Sequence, residues 1–547
     1  MAVITIDGHP LEVEPNLVIM QASDRAGIEI PRFCYHPDLR PEGSCRMCLV
    51  RVKGFARLTP ACATPVADGM VVSTAHHDEE VAQATRGVLE FLLVNHPLDC
   101  PICDQSGECS LQDYYMHSDY GLHRSDVEPE EKVRKRKGIN LGPIYMDSER
   151  CVMCSRCVRF SNEVSGAGEL QFVSRGNHVE IMAFEDRALQ DPYAGNLADL
   201  CPVGALTSRD FRFKRRVWFL DHADSICPGC STGCNVRIDH AAGHIERLVP
   251  RRNPAVNHSW MCDEGRFSYK RPESLPRLTT PRLRIHGELR RASWDEAMAV
   301  VQRELASRPP RGASAVVASP MASNESLWVL GQLARALSSS PHLEYRCLAD
   351  PSPDIREDAL LRRRDKHLNS TGAGWLGLGT AAGLEALALA ADRHELARAV
   401  ILHGAPRVGP NEPIRRELLS RIVRGTPFVV VMSDVAEDWG DAAHVVLPVA
   451  AWAEEEGTYT NGAGTVQHGA CALNPPGEAR AALAVLTELW AALGGPRYGG
   501  PADVFQRGLM QCAAFEGLDY GTLASRAATA YPPEGRMPYG QEGFAGR

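Results

Sequence analysis

The sequence predicts an α+β front half followed by an α/β back half, and three observations carry that division. Fifteen of the eighteen cysteines precede residue 263. The stretch PESLPRLTTPRL, 272–283, carries three prolines and reads as a boundary. Beyond it, ASAVVAS (313–319), AVILHG (399–404), PFVVVMS (427–433) and HVVLP (444–448) read as buried strands. A helical pattern, ESLWVLGQLARAL, follows the first of them, and such alternation points to a buried parallel sheet.

The front half opens with a hairpin, VITID and LEV flanking the turn Asp7-Gly8-His9. A helix is predicted over Val18–Ala26, ending at Gly27. A second is predicted from Asp78 to Asn95, with Val81, Thr85, Val88, Leu89, Leu92 and Leu93 on one face. Residues 130–270 read as short elements around cysteines. The tail YPPEGRMPYGQEGFAGR is rich in Gly and Pro and is expected to be disordered.

A chain of 547 residues implies several domains. Its 44% apolar and 23% charged residues are ordinary for globular protein, and a net charge of −9 gives no reason to expect nucleic-acid binding. The basic run KVRKRK, 132–137, reads as a solvated loop. No apolar run approaches the ~20 residues of a membrane helix. No basic n-region precedes an apolar core at the N-terminus, so the protein is expected in the cytoplasm. Without an export signal, dense C-x-x-C spacings read as metal ligands rather than disulfides.

The cysteines fall into ligand sets. The first is Cys34, Cys45, Cys48 and Cys62, with Gly43-Ser44 allowing backbone to approach inorganic sulfide, and it reads as a [2Fe–2S] site. Its hairpin–helix–loop context resembles the plant-type ferredoxin β-grasp domain, although the spacing differs. A third set, Cys151, Cys154 and Cys157 with remote Cys201 in a Cys-Pro pair, follows bacterial ferredoxin ligand logic for [4Fe–4S]. The fourth, Cys227, Cys230, Cys234 and Cys262, also reads as [4Fe–4S], with Gly229 and Gly233 relieving crowding. Zinc is the competing reading, but zinc sites more often join two C-x-x-C pairs.

The second set, in HPLDCPICDQSGEC (96–109), holds only three thiols: Cys100, Cys103 and Cys109. Outside the sets remain Cys347, which follows a strand-like LEY, and Cys471 and Cys512, which have no nearby partner in sequence; each reads as a buried small hydrophobe. Two readings of His96 stay open from residue chemistry alone: a fourth ligand, or a histidine at a helix C-terminus facing the dipole.

Taken in order, these four spacings resemble the large iron–sulfur subunit of bacterial respiratory complex I, specifically through residue 270. SICPGCSTGCN and NHSWMCDEGRF are similar to that family's wording around its last cluster. The resemblance implies that His96 joins Cys100, Cys103 and Cys109 on a [4Fe–4S] cluster. ASWDEAM (292–298), SNESLW (323–328) and EEEGTYTNGAGTVQ (454–467) resemble segments of molybdopterin oxidoreductases, carried in such subunits as a relic. Cys347, in EYRCLAD, does not resemble a molybdenum ligand loop, and no molybdopterin is expected. The triplet Glu454–Glu456 reads as a solvated face or a subunit contact.

The implied layout is a [2Fe–2S] ferredoxin-like β-grasp domain over 1–77 and a His/Cys [4Fe–4S] helical segment over 78–117. A ferredoxin-like segment follows over 118–219, then a [4Fe–4S] domain over 220–276. A truncated molybdopterin-oxidoreductase-like α/β domain (277–530) and a tail (531–547) complete it. The implied function is a one-electron relay of NADH-quinone oxidoreductase with no catalytic residue of its own. Its expected partners are an NADH-oxidising flavoprotein, a small [2Fe–2S] subunit, and ferredoxin-like and quinone-module subunits at the cytoplasmic face of the inner membrane. In the family, electrons pass the first, third and second sets, while the fourth lies off the route. Nothing in residues 1–270 resembles a Gly-rich nucleotide loop, so NADH is expected on a partner. The rival readings are a formate dehydrogenase subunit or the front end of a bidirectional hydrogenase.

Overall fold

The computed structural model describes residues 1–116, 132–270, 275–307, 312–339, 341–343, 357–379, 383–404 and 412–529. Cys347 and the tail 531–547 lie outside these. The chain divides into two compact units, Met1–Leu220 and Asp221–Ala530, so the division precedes the proline-rich stretch. That stretch is tied into the second unit. Arg277 forks onto the Glu454 carboxylate at 2.7 and 2.6 Å and donates from Nε to the Asp434 carbonyl at 3.0 Å.

The first unit begins with strands Ala2–Ile6 and His9–Val13, paired from Ala2↔Val13 to Ile6↔His9. Asp7 and Gly8 both take positive φ, 50° and 84°, the two-residue turn whose twist matches a hairpin. Period-two alternation sends Ala2, Ile4 and Ile6 inward. Ala2–Ile6 runs parallel to Val71–Ser73, and Leu49–Val52 and Thr59–Pro60 complete a five-stranded sheet. Helix Ile19–Arg25 buries Ile19 and Met20 in the core beneath it.

Helix Glu79–Asn95 starts at Asp78, whose carboxylate accepts from Val81 N at 3.0 Å. Val81, Thr85 and Leu89 are buried, whereas Val88, Leu92 and Leu93 stay half-exposed. Between residues 139 and 208 the strands run only two to four residues each.

The basic run is not a free loop. Lys132 Nζ donates to His96 O at 3.4 Å and Lys135 Nζ to Val179 O at 2.8 Å. Arg136 pairs with Glu180 and Asp186, and Lys137 with buried Glu149. Acceptors contributed by residues 96, 149 and 179–186 turn a polar run into a strap.

The second unit starts with an antiparallel sheet of Asp221–Ile226, Asn235–Ala241 and His244–Pro250. Its main sheet has seven strands in the order Glu288–Arg291, Arg282–Ile285, Val445–Pro448, Phe428–Ser433, Leu396–His403, Ala313–Ala318, Pro341–Leu343. The last five are parallel, and Arg282–Ile285 joins them antiparallel. Helices Trp294–Ala306, Asn324–Ala336 and Ala482–Ala492 bury one face of this sheet, and Gly383–Asp392 and Glu412–Gly425 the other. Ser293 in ASWDEAM caps the first of these helices, exchanging bonds with Glu296. Among the described residues no helix is long and apolar enough to cross a membrane.

Candidate iron–sulfur sites

In the first set, Cys34, Cys48 and Cys62 are buried and Cys45 is half-buried. The thiols act on one another, Cys34 with Cys45 and Cys62, and Cys48 with Cys62. That pushes the Cys45 and Cys62 pKa values up and pulls those of Cys34 and Cys48 down. The four thiols are thus neighbours in space. Cys34 N also lies 3.5 Å from Cys45 Sγ, and Gly43 sits at φ 70°, where a side chain would be strained.

The third set wraps one loop around its own interior. Met153 and Ser155 take left-handed φ values of 52° and 61°, rare for residues with a Cβ. The first of these turns aims Met153 N at Cys151 Sγ, 3.4 Å away. Burial pushes Cys151 up to about 12 and Cys154 up to about 11, and raises Cys157 and Cys201 as well. At Cys201 the backbone N–H groups of Val203, Ala205 and Leu206 act against that rise.

The second set lies beside the third. Cys103 and Cys109 are buried and Cys100 is exposed. Burial pushes Cys109 up to about 12. His96 is the residue at which helix Glu79–Asn95 turns extended, its N–H bonded to Leu93 O. Burial, then the Arg150 charge, pulls its pKa down to about 4, so the ring is neutral and able to ligate at neutral pH. The same Arg150 charge bears on Cys103. Gly204, three residues after Cys201, packs directly against this set: a Cβ there would stand 2.1 Å from Cys103 Sγ.

The fourth set belongs to the second unit. Gly229 N points at Cys227 Sγ (3.3 Å) and Gly265 N at Cys262 Sγ (3.4 Å). A Cβ on Gly265 would meet Cys227 Sγ at 2.8 Å and Cys262 Sγ at 3.5 Å, so only glycine fits between those sulfurs. Cys234 is raised by burial and by Cys227, Cys230 and Cys262 together. The loop is seated on the hairpin Gly457–Thr460/Val466–Gly469. Gln467 Nε2 donates to Gly233 O at 3.0 Å and Asn461 Nδ2 to Thr232 O at 3.2 Å. That hairpin bonds the SNESLW segment in turn, Glu325 accepting from Thr458 N at 2.9 Å and Oγ1 at 2.7 Å.

These donors fit iron–sulfur clusters. Where burial dominates, as in the third set, the thiols would stay protonated without a cation in their midst. Iron would supply that cation, and backbone N–H groups already face several sulfurs. Among the described residues no three His, Cys, Asp or Glu side chains are arranged to hold a single metal ion. A cluster brings its own sulfides and needs ligands around a wider core.

Two readings of the sequence need correction. Glu454 and Glu455 are buried, not a solvated face: Glu454 pairs with Arg277, and Glu455 accepts from Ala482 N at 3.0 Å. Cys471 is exposed rather than buried, because it leaves the strand Val466–Gly469 for a loop, and Cys512 is half-buried. Sequence reasoning missed Gly204, Gly265, Arg150 and Arg156. The arginines adjoin cysteines in the sequence, which was the available signal.

Each set lies inside a stretch that matches a family model. Residues 1–77 match the 2Fe-2S iron–sulfur cluster binding domain, and 86–125 the NADH-ubiquinone oxidoreductase-G iron–sulfur binding region. Residues 142–207 match the ferredoxin-like domain of NADH-quinone oxidoreductase subunit 3, and 221–274 the molybdopterin oxidoreductase Fe4S4 domain. Residues 277–381 and 416–492 match molybdopterin oxidoreductase. The chain thus carries a ferredoxin-like 2Fe-2S domain, then 4Fe-4S and molybdopterin oxidoreductase domains.

The chain is 41% identical to the G subunit of the NADH-quinone oxidoreductase of Rickettsia bellii, over 60% of this chain and 47% of that protein. It is 37% identical to the corresponding G subunit of Streptomyces coelicolor, over 63% of this chain and 41% of that one. It is 40% identical to the NADH-ubiquinone oxidoreductase 78 kDa subunit of Neurospora crassa over 61% and 45%. The chain therefore spans about half the length of the curated relatives it matches.

Proposed function

We propose that this chain is an electron-transfer subunit of an NADH-quinone oxidoreductase. It would hold one [2Fe–2S] cluster on Cys34, Cys45, Cys48 and Cys62. It would hold [4Fe–4S] clusters on His96, Cys100, Cys103 and Cys109, on Cys151, Cys154, Cys157 and Cys201, and on Cys227, Cys230, Cys234 and Cys262. Bound iron–sulfur clusters supply one-electron oxidation and reduction. The chain's residues hold the thiolates, aim N–H groups at sulfur and exclude water.

The observation that carries this reading is the loop Cys201-Pro202-Val203-Gly204. It begins with a ligand of the third set and ends with Gly204 packed on Cys103 Sγ of the second. Ser110 N bonds Pro202 O at 2.9 Å, closing the same contact. Zinc scaffolding gives no reason for two ligand sets to lie side by side, whereas electron transfer between them is favoured by that proximity.

The proposed partners are an NADH-oxidising flavoprotein, a small [2Fe–2S] subunit, and ferredoxin-like and quinone-module subunits, at the cytoplasmic face of the membrane. NADH and quinone would react on those partners, and the fourth set would lie off the route. Iron, sulfide and molybdenum analysis with EPR on the anaerobically purified complex tests this. The expected result is about fourteen iron per chain with no molybdenum. About one molybdenum per chain would replace the relay with a molybdenum enzyme.

A further inference from the structure

Two buried arginines adjoin third-set ligands, Arg150 before Cys151 and Arg156 before Cys157. They are partnered differently. Arg150 Nη2 bonds Asp99 at 2.9 Å and lies 3.5 Å from Asp147, so carboxylates oppose its charge. Arg156 is 2% exposed, and its partners among the described residues are two carbonyls. Nη1 donates to Leu200 O at 3.4 Å, and Nη2 donates to Tyr35 O. Its Nε–H is buried and meets no acceptor.

Those two carbonyls sit one residue from ligands of different sets: Leu200 precedes Cys201 and Tyr35 follows Cys34. The Arg156 charge also bears on the Cys154 and Cys201 thiols. A buried cation whose N–H lacks an acceptor is costly unless an anion faces it. A cluster with its thiolates is such an anion, and its sulfides accept hydrogen bonds.

We propose that Arg156 is a positioning residue shared by two redox sites: one buried cation that raises the reduction potentials of the first-set and third-set clusters together and donates its Nε–H to the latter. The inference rests on the electron-relay reading. Arg159, at the other end of the short helix Arg156–Arg159, is the internal contrast. It donates to Cys34 O and Arg40 O, but its charge is opposed by Glu42 at 3.2 Å.

The test is an EPR-monitored redox titration of anaerobically purified holo-protein. Arg156→Gln is expected to lower the reduction equilibrium at both centres about tenfold, which is 59 mV for a one-electron couple. Arg156→Lys, which keeps the charge, is expected to shift each less than threefold, and Arg159→Gln to shift the third-set centre less than threefold. If Arg156→Gln retains both clusters but moves neither potential, or only one, the proposal is overturned. So is it if Arg156→Lys shifts both as far as Arg156→Gln does.

Should Arg156→Gln fail to hold clusters, pulsed EPR decides, on protein labelled with arginine carrying ¹⁵N in the guanidinium group only, since the backbone N–H of Arg156 also faces Cys154. The expected result is an ¹⁵N coupling on the reduced third-set centre that vanishes in Arg156→Lys. Identical spectra for the two proteins overturn the proposal. Absence of either cluster from the unsubstituted protein would instead sink the electron-relay reading.

Discussion

Residues 1–77 and 139–208 hold similar ligand sets by different means. The first stretch has a five-stranded sheet and a continuous aliphatic core, with the cysteines on loops that carry Cys48 and Cys62 into that core. The second has strands of two to four residues, two left-handed residues inside its cysteine loop, and thiols at its centre. Both bury apolar side chains, Ile4, Ile6 and Val50 in the first and Leu141, Ile144, Phe160 and Leu206 in the second, but only the first has a sheet of five strands around that core. On the proposed reading, the second would depend more on what its ligands bind. Metal binding and folding should therefore be coupled far more strongly in the second.

Iron removal is the strongest way to break that contrast. After chelation under reducing conditions, amides of 139–208 are expected to lose hydrogen-exchange protection, while Ala2–Ile6 and Leu49–Val52 keep theirs. Simultaneous loss in both stretches would show that the sheet also depends on metal. Next in size is Gly204→Ala, whose new Cβ would stand 2.1 Å from Cys103 Sγ. Iron should fall by about four atoms per chain as the second-set cluster is lost, with the first-set EPR signal unchanged.

The converse substitution, Ile4→Ala, removes a side chain that is 1% exposed in the sheet's core. It should cost about 2–5 kcal/mol of stability, read by thermal unfolding, yet leave cluster content intact at low temperature. Loss of the first-set cluster at low temperature would mean that core packing and ligation are not separable there. The subtlest change is His96→Cys. With the cluster retained, a thiolate in place of a neutral imidazole adds negative charge and disfavours reduction. The reduction equilibrium should fall on the order of tenfold, 59 mV. An unchanged or higher potential would show that hydrogen bonds or solvent, not ligand charge, set it.

Local information made the cysteine groupings legible. Thiol spacing is a property of short loops, and so is the Asp7-Gly8 turn. The parallel strands were legible because β-branched runs such as Val429–Val431 have no polar face to hide. What escaped depends on distant partners. Glu454 reads as solvated until Arg277, 177 positions away, neutralises it. The basic run reads as free until Glu149 and Glu180 meet it. Gly204 has no motif of its own, and its requirement appears only where its backbone meets Cys103. The neutral state of His96 likewise depends on its burial and then on the charge of Arg150, which is held by Asp99.

The central claim is electron relay, and the direct measurement is EPR of the assembled, anaerobically purified complex before and after NADH. The account predicts that NADH elicits signals from the [2Fe–2S] centre and from the second-set and third-set [4Fe–4S] centres. If those centres are present by iron content yet stay oxidised while the flavoprotein is reduced, the clusters are scaffolding and the account is contradicted.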